Sequence, residues 1–412
     1  MLRASTSRLS QVIVIVALSV ILMGMPATAK STPLTFWVIE SFTPTKDAAI
    51  YKAVAEFNKA NPDIEVRVEP IPAASLREKY VNAVFGGGGP DIAALDTAWM
   101  AEFAQMGLVK DISGKFSTVR GRFFEGPVET AEYRGKYYAV PWYTNNVALF
   151  YNKDALASVG YAKPPATWSE FRSMAEALKK KNMYALAFAH DDFAIFMWLP
   201  FLYQAGADLV NKELNGPGFD NAEGREAWNL ITDMYAKGYM PESIKSVNSW
   251  SEVYAPFIQG KAAFVITGDW GIMPIANAKP GFEWSIAPLP AHRKAATVIG
   301  GYNLAVSKNC RDVDAAWRFF DYLTKPENLW ILQSYNRIPA VAAVLETEYA
   351  TSDPLMSVFF QQSKVGVARP RVPEYETIMV TLGEAFDTVI FGVSTPEAAL
   401  KKAAAEVKNI LK

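Results

Sequence analysis

The sequence predicts an α/β protein built as two domains, and three observations carry that expectation. After an apolar leader, strand and helix patterns alternate as β-α-β-α-β-α, the order that gives a parallel sheet with helices on its faces. The chain has 412 residues, more than one hydrophobic core usually organises. Half of the residues are hydrophobic and 13% are aromatic, which fills two cores and leaves no room for long disorder.

Arg3 and Arg8 precede an apolar run over residues 12–25, followed by Ala27-Thr28-Ala29. A basic start, a short apolar run and an A-x-A site form a secretory signal peptide (residues 1–29), cleaved after Ala29. The run falls short of the roughly 20 residues that a spanning helix needs. No cysteine lies near the cleavage site, so a soluble, periplasmic protein without a lipid anchor is expected. Loss of Arg3 and Arg8 takes Lys+Arg from 41 to 39 against 42 acids, moving net charge from −1 to −3. That balance gives no reason to expect nucleic acid or an anionic membrane as partner. Cys310 is the single cysteine, so the core alone must hold the exported chain.

Residues 34–39 (LTFWVI) form a buried-type strand that delivers Glu40. Residues 47–60 show helical spacing, with Ile50, Val54 and Phe57 on one stripe, and Asn61-Pro62 ends them. Residues 64–68 alternate as a second strand. Ser75-Leu76-Arg77-Glu78 has the form of a capping box, and the glycines at 86–89 stop the helix it opens. Residues 91–95 are a third strand that delivers Asp96, and a helix over 97–105 closes at Gly107. Ligands of such sheets sit at the carboxyl ends of strands, so Glu40 and Asp96 are candidate contacts, with ordinary capping of the next turn as the competing role.

Residues 135–154 (GKYYAVPWYTNNVALFYNKD) spell strand, loop, strand, with Pro141 closing the first strand. Trp142, Tyr143, Asn145 and Asn146 crowd the loop. Aromatic faces beside amides suit a sugar, and they suit a buried hairpin equally. Thr167-Trp168-Ser169-Glu170 is another capping box, opening a helix to Lys181. A strand over 184–189, a buried helix over 193–204 and an amphipathic helix over 221–237 follow. A short helix over 251–259 then leads to the strand 261–267 (KAAFVIT), which runs into Gly268-Asp269-Trp270-Gly271. Strands over 284–289 and 298–306 come next, the latter carrying Gly300-Gly301-Tyr302-Asn303, then a helix over 312–323. Past Pro339 the pattern is helical, ending in a helix over 396–411 capped by Thr395.

Catalytic patterns are missing. His190 and His292 are far apart and in no metal-ligand spacing. The glycine run lacks the Lys-Ser/Thr of a phosphate loop, and neither G-x-G-x-x-G nor G-x-S-x-G occurs in a fitting context. His190-Asp191-Asp192 reads as a solvated loop ahead of a carboxylate pair. Glu40 and Asp96 leave a glycosidase nominally open, since two opposed carboxyls are its requirement. Carbohydrate binding fits better, because sugars offer C–H faces to rings and hydroxyls to planar polar groups. Trp37, Trp99, Trp142, Tyr143, Trp250, Trp270 and Tyr302 all stand next to turns. Trp270 is the leading stacking candidate, flanked by Gly268 and Gly271, which let a ligand approach the backbone. Arg369, held extended by Pro370, serves either to fork onto hydroxyls or to form a salt bridge.

Taken together and in order, several segments resemble the extracellular solute-binding proteins of ATP-driven importers, in the carbohydrate group of the maltose- and trehalose/maltose-binding proteins. They are residues 60–66 (ANPDIEV), 89–92 (GPDI), 135–141 with 149–154, 167–171 (TWSEF), 260–270, 288–290 (PLP), 300–306 (GGYNLAV) and Arg369-Pro370. The resemblance implies the two-lobed periplasmic-binding-protein fold (type II), with the ligand between lobes joined by a hinge. It implies crossings near 145–147, 298 and 338–340, hence lobes of residues 30–145 with 298–338 and 146–297 with 339–412. It places ligand contacts at Glu40, Asp96, Tyr143, Asn145, Trp270, Gly301, Tyr302 and Arg369, with Glu252 a weaker match and Trp142 left to the core. At the Asn145 position the trehalose/maltose-like relatives carry an acid. The implied function is a non-enzymatic binder of a disaccharide or short oligosaccharide that docks on a membrane permease. A monomer without metal or cofactor is expected. A polyol or glycerol phosphodiester ligand and an exported glycosidase are the alternatives.

Overall fold

The structure is a computed structural model, which describes residues 31–247 and 249–412; the expected signal peptide lies outside them. Ten strands form one continuous sheet. In chain order they are β1 (Thr32–Ile39), β2 (Ile64–Ile71), β3 (Ile92–Asp96), β4 (Ala139–Asn152), β5 (Tyr184–Ala187), β6 (Ala262–Gly268), β7 (Trp284–Ala287), β8 (Thr297–Val306), β9 (Ile338–Pro339) and β10 (Gly366–Ala368). The main path runs β2-β1-β3-β8-β4-β6-β5, with β7 and β9 on β4 and β10 on β8.

The first three strands are parallel, as their alternation with helices requires. Helix α1 (Ala49–Ala60) buries Ile50, Val54 and Phe57 on the stripe that the sequence spacing marks. Strand β8 then joins β3 antiparallel, so this half of the sheet is mixed. Helix α2 (Ala73–Phe85) begins two residues before Ser75, and no side chain of its own caps it. Its first N–H, that of Ala73, donates to the Glu40 carboxylate at 2.6 Å. A partner 33 residues away displaces the local capping box. The box at Thr167 does form: its hydroxyl accepts from Glu170 N–H at the start of α3 (Trp168–Lys179), and Glu170 reaches back to Ala166 N–H.

The segment expected as strand, loop, strand is one strand, β4, of 14 residues. Pro141 does not end it, because the register slips at this point. Tyr302 pairs with Tyr143 and Asn303 with Pro141, so Trp142 is the extra residue of a bulge that absorbs the missing proline donor. Residues up to Asn146 pair with β8; from Val147 onward the partners are β6 and β7. One strand therefore belongs to two half-sheets. Helices α4 (Asp191–Ala205), α5 (Ala222–Ala236) and α6 (Trp250–Ile258) flank the second half, joined late by α7 (Tyr375–Ile390) and α8 (Pro396–Ile410). Strand β10, which pairs with the first three residues of β8, breaks the expected helical run beyond Pro339.

Candidate functional site

Where β3 ends, Asp96 accepts the N–H of Ala98 at 2.9 Å, so its capping role is real. The same carboxylate oxygen accepts from Arg369 Nη2 at 2.5 Å, and that nitrogen also reaches Thr97 Oγ1 at 2.6 Å. The Arg369 side chain is 9% exposed and that of Asp96 22%. Burial works against the guanidinium charge, but Asp96 outweighs it and holds Arg369 firmly protonated. Arg369 also lies over the rings of Phe196 and Tyr375, at 6.0 and 5.6 Å. Its Nε is buried without a partner. Of the two roles open to Arg369, the salt bridge is formed.

Tyr302 stands half-buried beside this pair. It stacks on Tyr143 with centroids 5.4 Å apart and meets the edge of Trp99 at 6.4 Å. Tyr143 lies one layer down, 2% exposed, so it supports Tyr302 and does not face the opening itself. The neighbouring glycines are fixed by contact. Gly301 has φ +128°, and a Cβ there would fall 2.2 Å from Tyr143 O. A Cβ on Gly300 would meet the Asn145 amide oxygen at 2.5 Å, and Asn145 is itself buried. Trp142 is a core residue as expected, stacked on Phe42 at 4.9 Å.

Beyond β6, Trp270 heads a half-buried aromatic group. Trp250 meets it edge-on at 5.4 Å, Phe196 lies at 6.2 Å, and Phe193 packs on Trp250 at 5.5 Å. The flanking glycines make room for the protein's own side chains. A Cβ on Gly268 would be 1.9 Å from the Trp270 ring, and one on Gly271 would be 2.5 Å from Thr267. Gly268 is small so that the indole can fold back over its own strand, and Gly271 leaves room for Thr267. Phe193 and Phe196 escaped the sequence analysis because α4 is almost wholly apolar from Phe193 onward and gives no sign of which rings reach the surface.

A second ion pair lies beneath Tyr143. Arg337 Nη1 meets Asp269 Oδ1 at 3.3 Å, with side chains 9% and 0% exposed, and the guanidinium lies 5.9 Å from the Tyr143 ring. Burial pushes Asp269 up to about 7, against the pull of Arg337. Nothing local distinguishes Asp269 and Arg337 in the sequence; they stand 68 residues apart. Glu40 is exposed, caps α2, and is near enough to Tyr302 to act on it electrostatically. Glu252 is exposed and borders a groove of about 290 Å³, lined also by Tyr184, Val247 and Lys261.

The structure therefore gathers Asp96, Arg369 and Tyr302, with Tyr143, Asn145 and Gly301 beneath and Glu40 close by, while Phe196 links Arg369 to the Trp270 group. Planar polar groups face aromatic surfaces, the pairing that suits hydroxyls and C–H faces. The two histidines are engaged apart from it, His190 with Asp387 and His292 with Glu226 and the face of Trp168. Among the described residues no group of His, Cys, Asp and Glu is placed to hold a metal ion.

Residues 42–330 match the family model of the bacterial extracellular solute-binding protein. The chain belongs to this family. Among relatives of the solute-binding protein, the maltotriose-binding protein of Pyrococcus abyssi is 26% identical over 375 residues, 88% of this chain and 79% of that protein. An ABC-transporter solute-binding protein of Thermotoga lettingae, solved with α-D-tagatose, has a TM-score of 0.83 at 26% identity and covers 93% of this chain and all of its own. The sugar-binding protein MalE of Xanthomonas citri has a TM-score of 0.80 at 28% identity, over 92% of this chain and 97% of that one. The solute-binding protein thus has the two-lobed α/β fold.

Proposed function

We propose that this protein captures a disaccharide or short oligosaccharide between its lobes and delivers it to the membrane permease of an ATP-driven importer, with no chemistry of its own. The observation that carries this is the meeting of two unlike surfaces: Asp96, Arg369 and Tyr302 around the end of β3, and the half-buried Trp270–Trp250–Phe196 group beyond β6. In this reading the lobes are residues 30–145 with 298–338 and residues 146–297 with 339–412. The change of partners along β4 at Asn146/Val147 supports that division. The ligand contacts are Asp96, Arg369, Tyr302 and Trp270, with Glu40 at the rim and Tyr143, Asn145 and Gly301 holding them in place. Glu252, which borders the groove lined by Tyr184 and Lys261, is not among them. Export follows cleavage after Ala29, without a lipid anchor, and the protein acts as a monomer.

Two features weigh against the alternatives. Asp96 already neutralises Arg369, so a phosphodiester would have to compete with a carboxylate for that guanidinium. Glu40 and Asp96 both accept backbone N–H groups as caps. A thermal-shift screen of mono-, di- and trisaccharides, with chromatography of the incubated mixtures, tests the proposal. One saccharide is expected to raise Tm while remaining intact. A panel without any stabilising sugar, or a hydrolysed one, refutes it.

A further inference from the structure

Glu376 opens α7 and belongs to no part of the site as the sequence marks it. Its carboxyl is largely enclosed, and Oε1 accepts from Trp99 Nε1 at 2.9 Å. Trp99 lies one turn past Asp96 at the end of β3, and its ring meets Tyr302 edge-on. Helix α7 packs mainly on α4 and α8, with lesser contact to α5 and to the Thr97–Trp99 turn. The bond thus joins two parts of the molecule that hinge closure would move against each other.

We propose that Glu376 is a positioning residue, latching α7 to the turn that carries Asp96 through the Trp99 indole and so holding the two lobes together around the cleft. This rests on the two-lobed reading above and is independent of which sugar is bound. The indole needs an acceptor once it is enclosed, and Glu376 provides it. Parting the lobes would return both groups to water.

The latch is sensitive to protons. The charged and titratable groups facing Glu376 are Asp96 from β3, Arg369 from the segment after β10, Arg77 from α2 and, on its own helix, Tyr375. Arg77 is held by Glu102 at 2.5 Å and Arg369 by Asp96, so neither cation is free to serve Glu376 alone. Burial first, then repulsion by Asp96, lift the Glu376 carboxyl to about 7, against the pull of Arg369 and the Trp99 bond. An opened cleft would return it towards the ordinary value of 4.5. Closing therefore takes up a proton between those values, and acid favours the closed form.

The test is interlobe distance in the full, unliganded chain, measured between spin labels on Lys59→Cys in α1 and Lys401→Cys in α8. Both sites are exposed and the native Cys310 is buried. From about pH 8.5 to about pH 5 the closed-to-open ratio of the parent is expected to rise at least about tenfold. Glu376→Gln keeps an acceptor for the indole but cannot ionise, so it stays closed across the range. Trp99→Phe removes the donor and shifts the distance outward at both ends. Distances in the parent that ignore pH, or a Glu376→Gln variant that tracks the parent, overturn the proposal. If the distances behave as stated but no saccharide binds, the latch stands and the sugar reading falls.

Discussion

Arg369 is held in place by one carboxylate, one hydroxyl and two ring faces. Removing the cation leaves Asp96 largely enclosed without its counter-charge, a loss of the kind that costs about 3–5 kcal/mol when fully buried. Asp96 is 22% exposed, so Arg369→Met should lower unfolding free energy by roughly 2–3 kcal/mol in urea, besides weakening sugar binding. Glu376 gives a signed pH effect. Its folded value, about 7, lies above the ordinary 4.5. The native state then holds the extra proton across that window, and the stability this brings is lost as pH rises through about 7. Glu376→Gln should accordingly gain Tm relative to the parent as pH is raised from 5 to 8. A difference in Tm that does not change with pH contradicts this.

The two strands that line the site, β4 and β8, are where sequence patterns said least about the outcome. Pro141 and the polar run after it carry the signals of a turn, yet a bulge at Trp142 lets the strand continue. Likewise Ser75–Glu78 has the form of a cap, but Glu40 takes the helix end from a distance. Both misreadings have the same cause: a tertiary partner outbids a local one, and a local pattern cannot show it. The helices with a clear apolar stripe or a local cap, such as α1, α3 and α8, lie within a few residues of expectation. Gly301 carries the tightest backbone requirement on β8. Alanine there would force a Cβ against Tyr143 O at φ +128°, so Gly301→Ala should cost roughly 1–3 kcal/mol from strain alone and displace Tyr302. A tenfold or larger loss of sugar affinity with an intact circular-dichroism spectrum would mark the second effect.

The molecule as a whole is two half-sheets sharing β4, and family membership together with the fold was legible early because many weak segments fall in the right order along the chain. Of the residues the sequence singles out, Asp96, Arg369 and Tyr302 do come together. Phe196, Asp269, Arg337 and Glu376 were not legible, because long-range pairing places them and no local spacing marks them. Ligand shifts an open–closed equilibrium only by its preference for one form, and the proposed function expects the aromatic group beyond β6 to gain contacts when the lobes meet. Calorimetric titration of the stabilising saccharide into the parent and into Trp270→Ala tests this most directly. The parent should bind at one site per chain, and Trp270→Ala should lose about 2–4 kcal/mol, as a buried aromatic anchor does. Equal affinity in the two proteins would place the sugar elsewhere.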